Sequence, residues 1–222
     1  MDKPAGMTTC RSAAEVAEFG KRGRRFLPPT LLDAVQRTLG AGRLWPVHRL
    51  DRDTSGLVVF ARTMAARQHL AQQFRRHSVS RRYLAIARGQ VESGRLESYL
   101  VRDRGDGRRG SGAPEAGRKA ITHVRLLDSI GEFSLVECQL ETGRTHQIRI
   151  HLGEAGTPLA GERIYDRPVH GRPQPDRSGA PRVALHAATL GLVHPKSGKF
   201  MEWQSPLPDD LAAVVRRLKA RG

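Results

Sequence analysis

Apolar and polar positions alternate with two periods along this chain, and several segments keep one period long enough to name an element. Leu57-Val58-Val59-Phe60-Ala61 is a continuous apolar run, β-branched and aromatic in part, and predicts a buried strand over 57–61. Leu31, Leu32, Val35 and Leu39 share one helical face, predicting a short amphipathic helix that Gly40 and Gly42 end. Thr63 is placed to cap a second helix through about His77, with Ala66, Leu70 and Phe74 on one side. Period-two alternation predicts a strand over 82–87, with Leu84 and Ile86 opposite Tyr83. Further strands follow at about 119–127 and 132–140, the latter alternating Val136, Cys138 and Leu140 with polar groups. A helical stretch ends near Ala155. Val183–Val193 and Phe200–Gln204 flank Pro195-Lys196-Ser197-Gly198, a hairpin by its turn chemistry. Asp209 is placed to cap a last helix, whose Leu211, Val214, Val215 and Leu218 form a core-facing stripe.

Between these elements lie two long polar stretches. Residues 102–118 hold five Gly and five Arg and no large apolar side chain, which reads as a flexible loop inside a domain. Asp166 to Pro181 holds four Pro and is also basic. No repeat of fixed period occurs. Short connections between most strands favour antiparallel pairing, and with few helices the expected class is α+β on a mixed sheet.

Composition changes this picture in one respect. The 222 residues, 38 % hydrophobic and 27 % charged, suit a soluble single domain over 1–222. No apolar stretch approaches the length of a membrane span, and the N-terminus lacks a secretory pattern. Cys10 and Cys138 are too few for a disulfide framework or a zinc site, so a reducing cytoplasm is the expected compartment. The 38 basic residues, however, outnumber the 22 acidic ones for a net charge of +16, and only six of the 38 are Lys. A GC-rich coding sequence accounts for Arg over Lys but not for basic over acidic. Guanidinium groups pair with phosphates and stack on bases, so a nucleic-acid partner is indicated.

The densest polar cluster runs directly into the apolar stretch at 57–61: His48-Arg49-Leu50-Asp51-Arg52-Asp53-Thr54-Ser55-Gly56. Asp, Thr, Ser and Gly before a strand are ordinary turn formers. The order His-Arg-Leu-Asp-x-x-Thr-Ser-Gly-Leu nevertheless resembles the signature of the RluA-type RNA pseudouridine synthases. Gly143-Arg144-Thr145-His146-Gln147-Ile148-Arg149-Ile150-His151-Leu152 resembles the family's second signature, and Asp2-Lys3-Pro4-Ala5-Gly6-Met7 its first motif. Smaller matches extend the likeness to Pro206-Leu207-Pro208.

That resemblance implies an α+β fold with a mixed, largely antiparallel, bifurcated sheet, flanking helices and a central cleft. It also implies conversion of uridine in structured ribosomal or transfer RNA to pseudouridine, without a cofactor. Asp51 matches the catalytic carboxylate. Tyr83, in Arg81-Arg82-Tyr83-Leu84-Ala85, matches the tyrosine that packs on the target base. Arg149 matches the basic partner of the Asp, with Arg144 as rival. Arg49 matches a residue that in some relatives fills the space left by the flipped base, and His48 is expected to shape the loop. The expected RNA contacts are Arg49, Arg75, Arg76, Arg82, Arg108, Arg109 and Arg144. The apolar strand that precedes the first motif in relatives is not in this sequence, so either the true start lies upstream or the strand is absent, and a chain of this length is expected to carry no separate N-terminal RNA-binding domain. A monomer is expected.

Other chemistries find less support. His146 and His151 are five apart, not the four of a helical zinc pair, and no H-E-x-x-H occurs. Asp51 and Asp53 are spaced for a magnesium nuclease or a glycosidase pair only if they lie on a strand, and Thr-Ser-Gly directly after them favours a turn. Acyl-hydrolase and phosphate-loop patterns are absent. The alternatives are a catalytically silent RNA-binding protein on the same scaffold and, behind it, a metal-dependent RNA nuclease.

Overall fold

The structure, a computed structural model, describes residues 1–11, 15, 27–40 and 42–221. In chain order the elements are β1 (Asp2–Lys3), α1 (Leu31–Thr38), β2 (Trp45–Pro46), β3 (Ser55–Leu57), β4 (Phe60–Ala61), α2 (Met64–Arg75) and β5 (Ser80–Arg88). They continue with β6 (Gly94–Val101), β7 (Gly110–Ser111), β8 (Arg118–Ile130), β9 (Phe133–Leu140), α3 (Gln147–Glu154), β10 (Leu185–Val193), β11 (Phe200–Gln204) and α4 (Asp209–Lys219). The class is α+β, and the strand registers are antiparallel. The chain forms two compact units, Met1–Val79 with Leu190–Gln204, and Ser80–Thr189 with Ser205–Gly222.

In the first unit β1 pairs with β3 and β2 with β4. The predicted strand over 57–61 is therefore two short strands, Ser55–Leu57 and Phe60–Ala61, serving different partners. Between them, Val58 continues the β1–β3 register, its N–H donating to Met1 O (2.9 Å), while Val59 N–H donates to His48 Nε2 (3.2 Å). Apolar content marks burial but not the partner, so a pattern reading merges the two. Helix α2 begins as expected, with Thr63 Oγ1 accepting from Ala66 N–H at 3.1 Å. Ala66, Leu70 and Phe74 pack with Ala61, Val79, Leu190 and Leu192. Gln73 fixes the helix to the end of β10, donating to Val193 O and accepting from Val193 N–H. Helix α1 is capped by Thr30 in a reciprocal box with Asp33.

In the second unit β5, β9, β8, β6 and β7 lie side by side in that order. Ile86, Ile130, Phe133 and Ala184 pack against Leu211, Val214 and Leu218 of α4, so the predicted stripe is core. Asp209 is not the cap of that helix. Pro208 holds the cap position, and Asp209 and Asp210 occupy the first turn, where negative charge meets the positive end of the helix. Residues 102–118 are not a flexible loop either. Asp103 Oδ1 accepts from the N–H groups of Gly105 and Gly107, and Asp106 binds Arg104, whose side chain is 4 % exposed. Gly110–Ser111 then pairs with β6. Ionic and backbone bonds replace the apolar contacts that a sequence pattern detects.

Candidate active site

In the first unit, Asp51 sits at the head of a turn, half-buried, with its carbonyl accepting from Thr54 N–H at 3.2 Å. The residues on either side of it are held by the N-terminal segment. Thr9, 1 % exposed, brackets Leu50: its hydroxyl donates to Leu50 O (2.9 Å) and accepts from Leu50 N–H (3.1 Å). Lys3, with no exposed surface, donates to the carbonyls of Pro4 (2.9 Å), Met7 (2.8 Å) and Arg52 (2.9 Å). Arg52 Nε returns to Gly6 O at 3.1 Å. Gly56, in the middle of β3 and paired with Lys3, has φ +110°, a conformation that favours glycine. His48 shapes the turn from behind: its Nε2 accepts from Val59 N–H, and its ring stacks on Phe74 with centroids 4.7 Å apart. A carboxylate on so over-determined a backbone is held in place. Arg49, Arg75 and Arg76 also belong to this unit and are exposed, the last two at the end of α2.

The other predicted residues lie in the second unit. Tyr83, 9 % exposed, stands on β5 opposite Cys138 of β9. The second signature builds a clamp around the start of α3. Gln147, 2 % exposed, accepts from the Thr142 hydroxyl (2.8 Å) and Arg144 N–H (3.0 Å), and donates to Ile121 O and Thr122 Oγ1 on β8. His151, one turn on, lies between Ser98 Oγ and Thr122 Oγ1, and burial pushes its pKa down toward the neutral ring. These bonds fix α3 along and about its axis, and with it Arg149.

Arg149 is 8 % exposed and forks onto Glu162, with Nε to Oε2 at 2.7 Å and Nη2 to Oε1 at 2.8 Å. Its guanidinium also lies over the Tyr165 ring, 5.2 Å from the centroid, and the Tyr165 hydroxyl meets His146 Nδ1 at 2.7 Å. Burial alone would raise the Glu162 carboxyl, but hydrogen bonds and charge from Arg149, with the Ile164 and Tyr165 N–H groups, hold it below the ordinary range. Glu162, Tyr165 and His146 have no role in the motif reading. The one sequence signal for Glu162 is an acid directly after the apolar Leu159-Ala160-Gly161. There Gly161, at φ +76°, lets the chain pass so close that a Cβ would stand 2.0 Å from Arg182 O.

The predicted RNA contacts separate into two kinds. Arg144 Nε donates to Lys119 O at 3.0 Å, and its pKa is lowered by partial burial and by Arg118. It is in part a structural residue. Arg82, Arg108 and Arg109 are half-buried, with Arg108 3.7 Å from Asp106. If the 102–118 segment meets phosphate, replacing Arg108 and Arg109 with Ala weakens RNA binding broadly. It also flattens the slope of log K against log salt by about 1.5, from the loss of two phosphate contacts. Filter binding from low to moderate salt checks this, and an unchanged slope removes these arginines from the interface.

No group of three or more His, Cys, Asp or Glu is placed to hold a metal ion among the described residues. No described helix is long and apolar enough to cross a membrane.

Comparison with known proteins gives consistent results. A human RNA pseudouridylate synthase domain containing 4 superposes with a TM-score of 0.73 at 21 % identity, over 98 % of this chain and 88 % of that one. A human RNA pseudouridylate synthase domain containing 1 gives 0.65 at 24 %, over 86 % and 85 %. At such identities the likeness concerns the fold. In sequence, the ribosomal large subunit pseudouridine synthase D of Nitrosomonas europaea is 39 % identical over 225 residues, covering 99 % of this chain and 62 % of that protein. An uncharacterized RNA pseudouridine synthase of Chloroflexus aurantiacus is 47 % identical over 223 residues, covering 99 % and 66 %. The chain thus spans somewhat under two thirds of the length of these relatives. The family model described as RNA pseudouridylate synthase matches residues 1–154, both signatures included. With that match and these identities, the chain belongs to the RNA pseudouridylate synthase family.

Proposed function

We propose that this chain isomerises uridine to pseudouridine in structured RNA, with Asp51 as the reacting carboxylate. The observation that carries the reading is the Asp51 turn itself, whose flanking residues are gripped by the buried side chains of Thr9 and Lys3. The reaction breaks the C1′–N1 glycosidic bond, turns the detached uracil, and joins C1′ to C5, which gives up its proton to solvent while N1 takes one up. It needs a fixed carboxylate beside the sugar and access to a nucleotide taken out of the stack. Tyr83 is assigned to pack on the target base, and Arg149 to be the cationic partner of Asp51. Relatives named for the large ribosomal subunit favour ribosomal RNA as substrate. A monomer in the cytoplasm fits the charge and the two unpaired cysteines.

Full-length protein, treated with EDTA and desalted, is given large-subunit ribosomal transcript labelled with tritium at uridine C5. Tritium release at an undiminished rate is expected, with pseudouridine mapped to discrete positions. No release from folded ribosomal or transfer RNA overturns the function, and loss restored only by a specific divalent ion overturns the cofactor-free reading.

A further inference from the structure

We infer that Glu162 is a positioning residue for Arg149, fixing the plane and direction of its guanidinium and acting through it rather than on the RNA. This rests on the proposed isomerase reading only for its activity readout. The Glu162 side chain has no exposed surface, so it touches no substrate. Its two oxygens divide the work. Oε2 accepts from Arg149 Nε, while Oε1 accepts from Arg149 Nη2 and from the N–H groups of Arg163 (3.0 Å), Ile164 (2.9 Å) and Tyr165 (3.3 Å). One carboxylate therefore sets the guanidinium and folds the turn that brings the Tyr165 ring against it. The backbone of Glu162 is held as well: Arg88 Nη2 donates to its carbonyl at 2.6 Å, and Arg88 Nε donates to Leu159 O at 3.0 Å.

A forked carboxylate allows a guanidinium one orientation, whereas a single contact lets it swing. Because the fork takes Nε and Nη2, it also determines where Nη1 points. The turn N–H groups fix the Glu162 carboxylate, and the Tyr165 face and the clamp on α3 fix the Arg149 that it holds. A buried pair kept for stability alone is replaceable by apolar groups at little cost, so this degree of convergence argues for placement.

The test is a double-mutant cycle on the full chain with Glu162→Gln, Arg149→Lys and both together. Glu162→Gln keeps the shape but turns an amide toward a donor. In the wild-type background it is expected to lower kcat roughly thirtyfold or more, with KM for RNA within about threefold. In the Arg149→Lys background, where no fork exists, the same substitution is expected to change kcat by less than about threefold. Equal losses in both backgrounds overturn the inference, because a purely structural role costs the same in each. Should Glu162→Gln fail to fold, Glu162→Asp takes its place in the cycle, one methylene too short to hold both the arginine and the turn. A second readout needs no RNA. In nitrogen-15 spectra the Arg149 Nε–H signal, assigned by its loss in Arg149→Lys, should resist exchange in the wild type and vanish in the Glu162 variant. A signal unchanged by the variant overturns the positioning role whether or not the protein turns over uridine.

Discussion

Asp51→Asn should reduce pseudouridine formation to below about one thousandth of the wild-type rate while leaving the fold and RNA binding in place. The substitution keeps the size of the side chain and most of its hydrogen bonding, and replaces one carboxylate oxygen with an amide nitrogen. The turn around it depends on Thr9, Lys3 and the Asp51 carbonyl, all untouched, so the melting midpoint should correspond to a change of about 1 kcal/mol or less. Affinity for RNA should hold or rise, because one negative charge near the phosphates has gone. Asp53→Asn is the internal control: exposed, two residues on, and at an unspecified position of the motif. Tritium release, a thermal melt and a binding curve for each variant decide the matter. Robust turnover by folded Asp51→Asn, or an equal loss from Asp53→Asn, would remove Asp51 from the chemistry.

The second large effect is on stability. Lys3→Met should destabilise the first unit by roughly 3 kcal/mol, because three carbonyls lose a donor whose side chain has no exposed surface. Methionine refills the volume and relieves the cost of burying an ammonium, which offsets part of the loss. Thr9→Val removes two hydrogen bonds without changing shape and should cost about half as much. Where both variants remain folded, kcat should fall about tenfold with KM little changed, since the carboxylate is displaced while the arginine surface is untouched. Urea unfolding gives the midpoints. Lys3→Met unfolding at the wild-type midpoint would show that the buried ammonium holds nothing.

Where a single element supplied its own burial pattern, the chain was legible. The stripe of α4 and the period-two strands β5, β8 and β9 are read from spacing because each packs one face against the core. Where a segment is held by bonds between distant polar groups, spacing says little. The 102–118 segment looks unstructured because its order comes from Asp103, Asp106 and Arg104. The strand at 57–61 divides because its amides have two sets of partners. Asp209 looks like a cap because its type is right, but the conformation that makes a cap falls one residue earlier, at Pro208. Among the proposed functional residues, Asp51, Tyr83 and Arg149 are indicated by motif resemblance. Glu162 and Thr9 are not, because each acts on a residue 13 or 41 positions away and no local pattern records such a partner.

The grip of Thr9 on Leu50 and of Lys3 on Arg52 spans sequence separations of 41 and 49 residues. Synthesis delivers the gripping residues first and the gripped ones much later, so during translation the N-terminal segment has nothing to hold. Closing a loop of that length loses chain entropy before any bond repays it, and contacts of high sequence separation form slowly. The carboxylate turn is consequently among the later parts of its unit to acquire its final shape. On the proposed function, a nascent or partly refolded molecule would present its arginines to RNA while its Asp51 is not yet in place, and capture of the RNA would then precede competence to modify it.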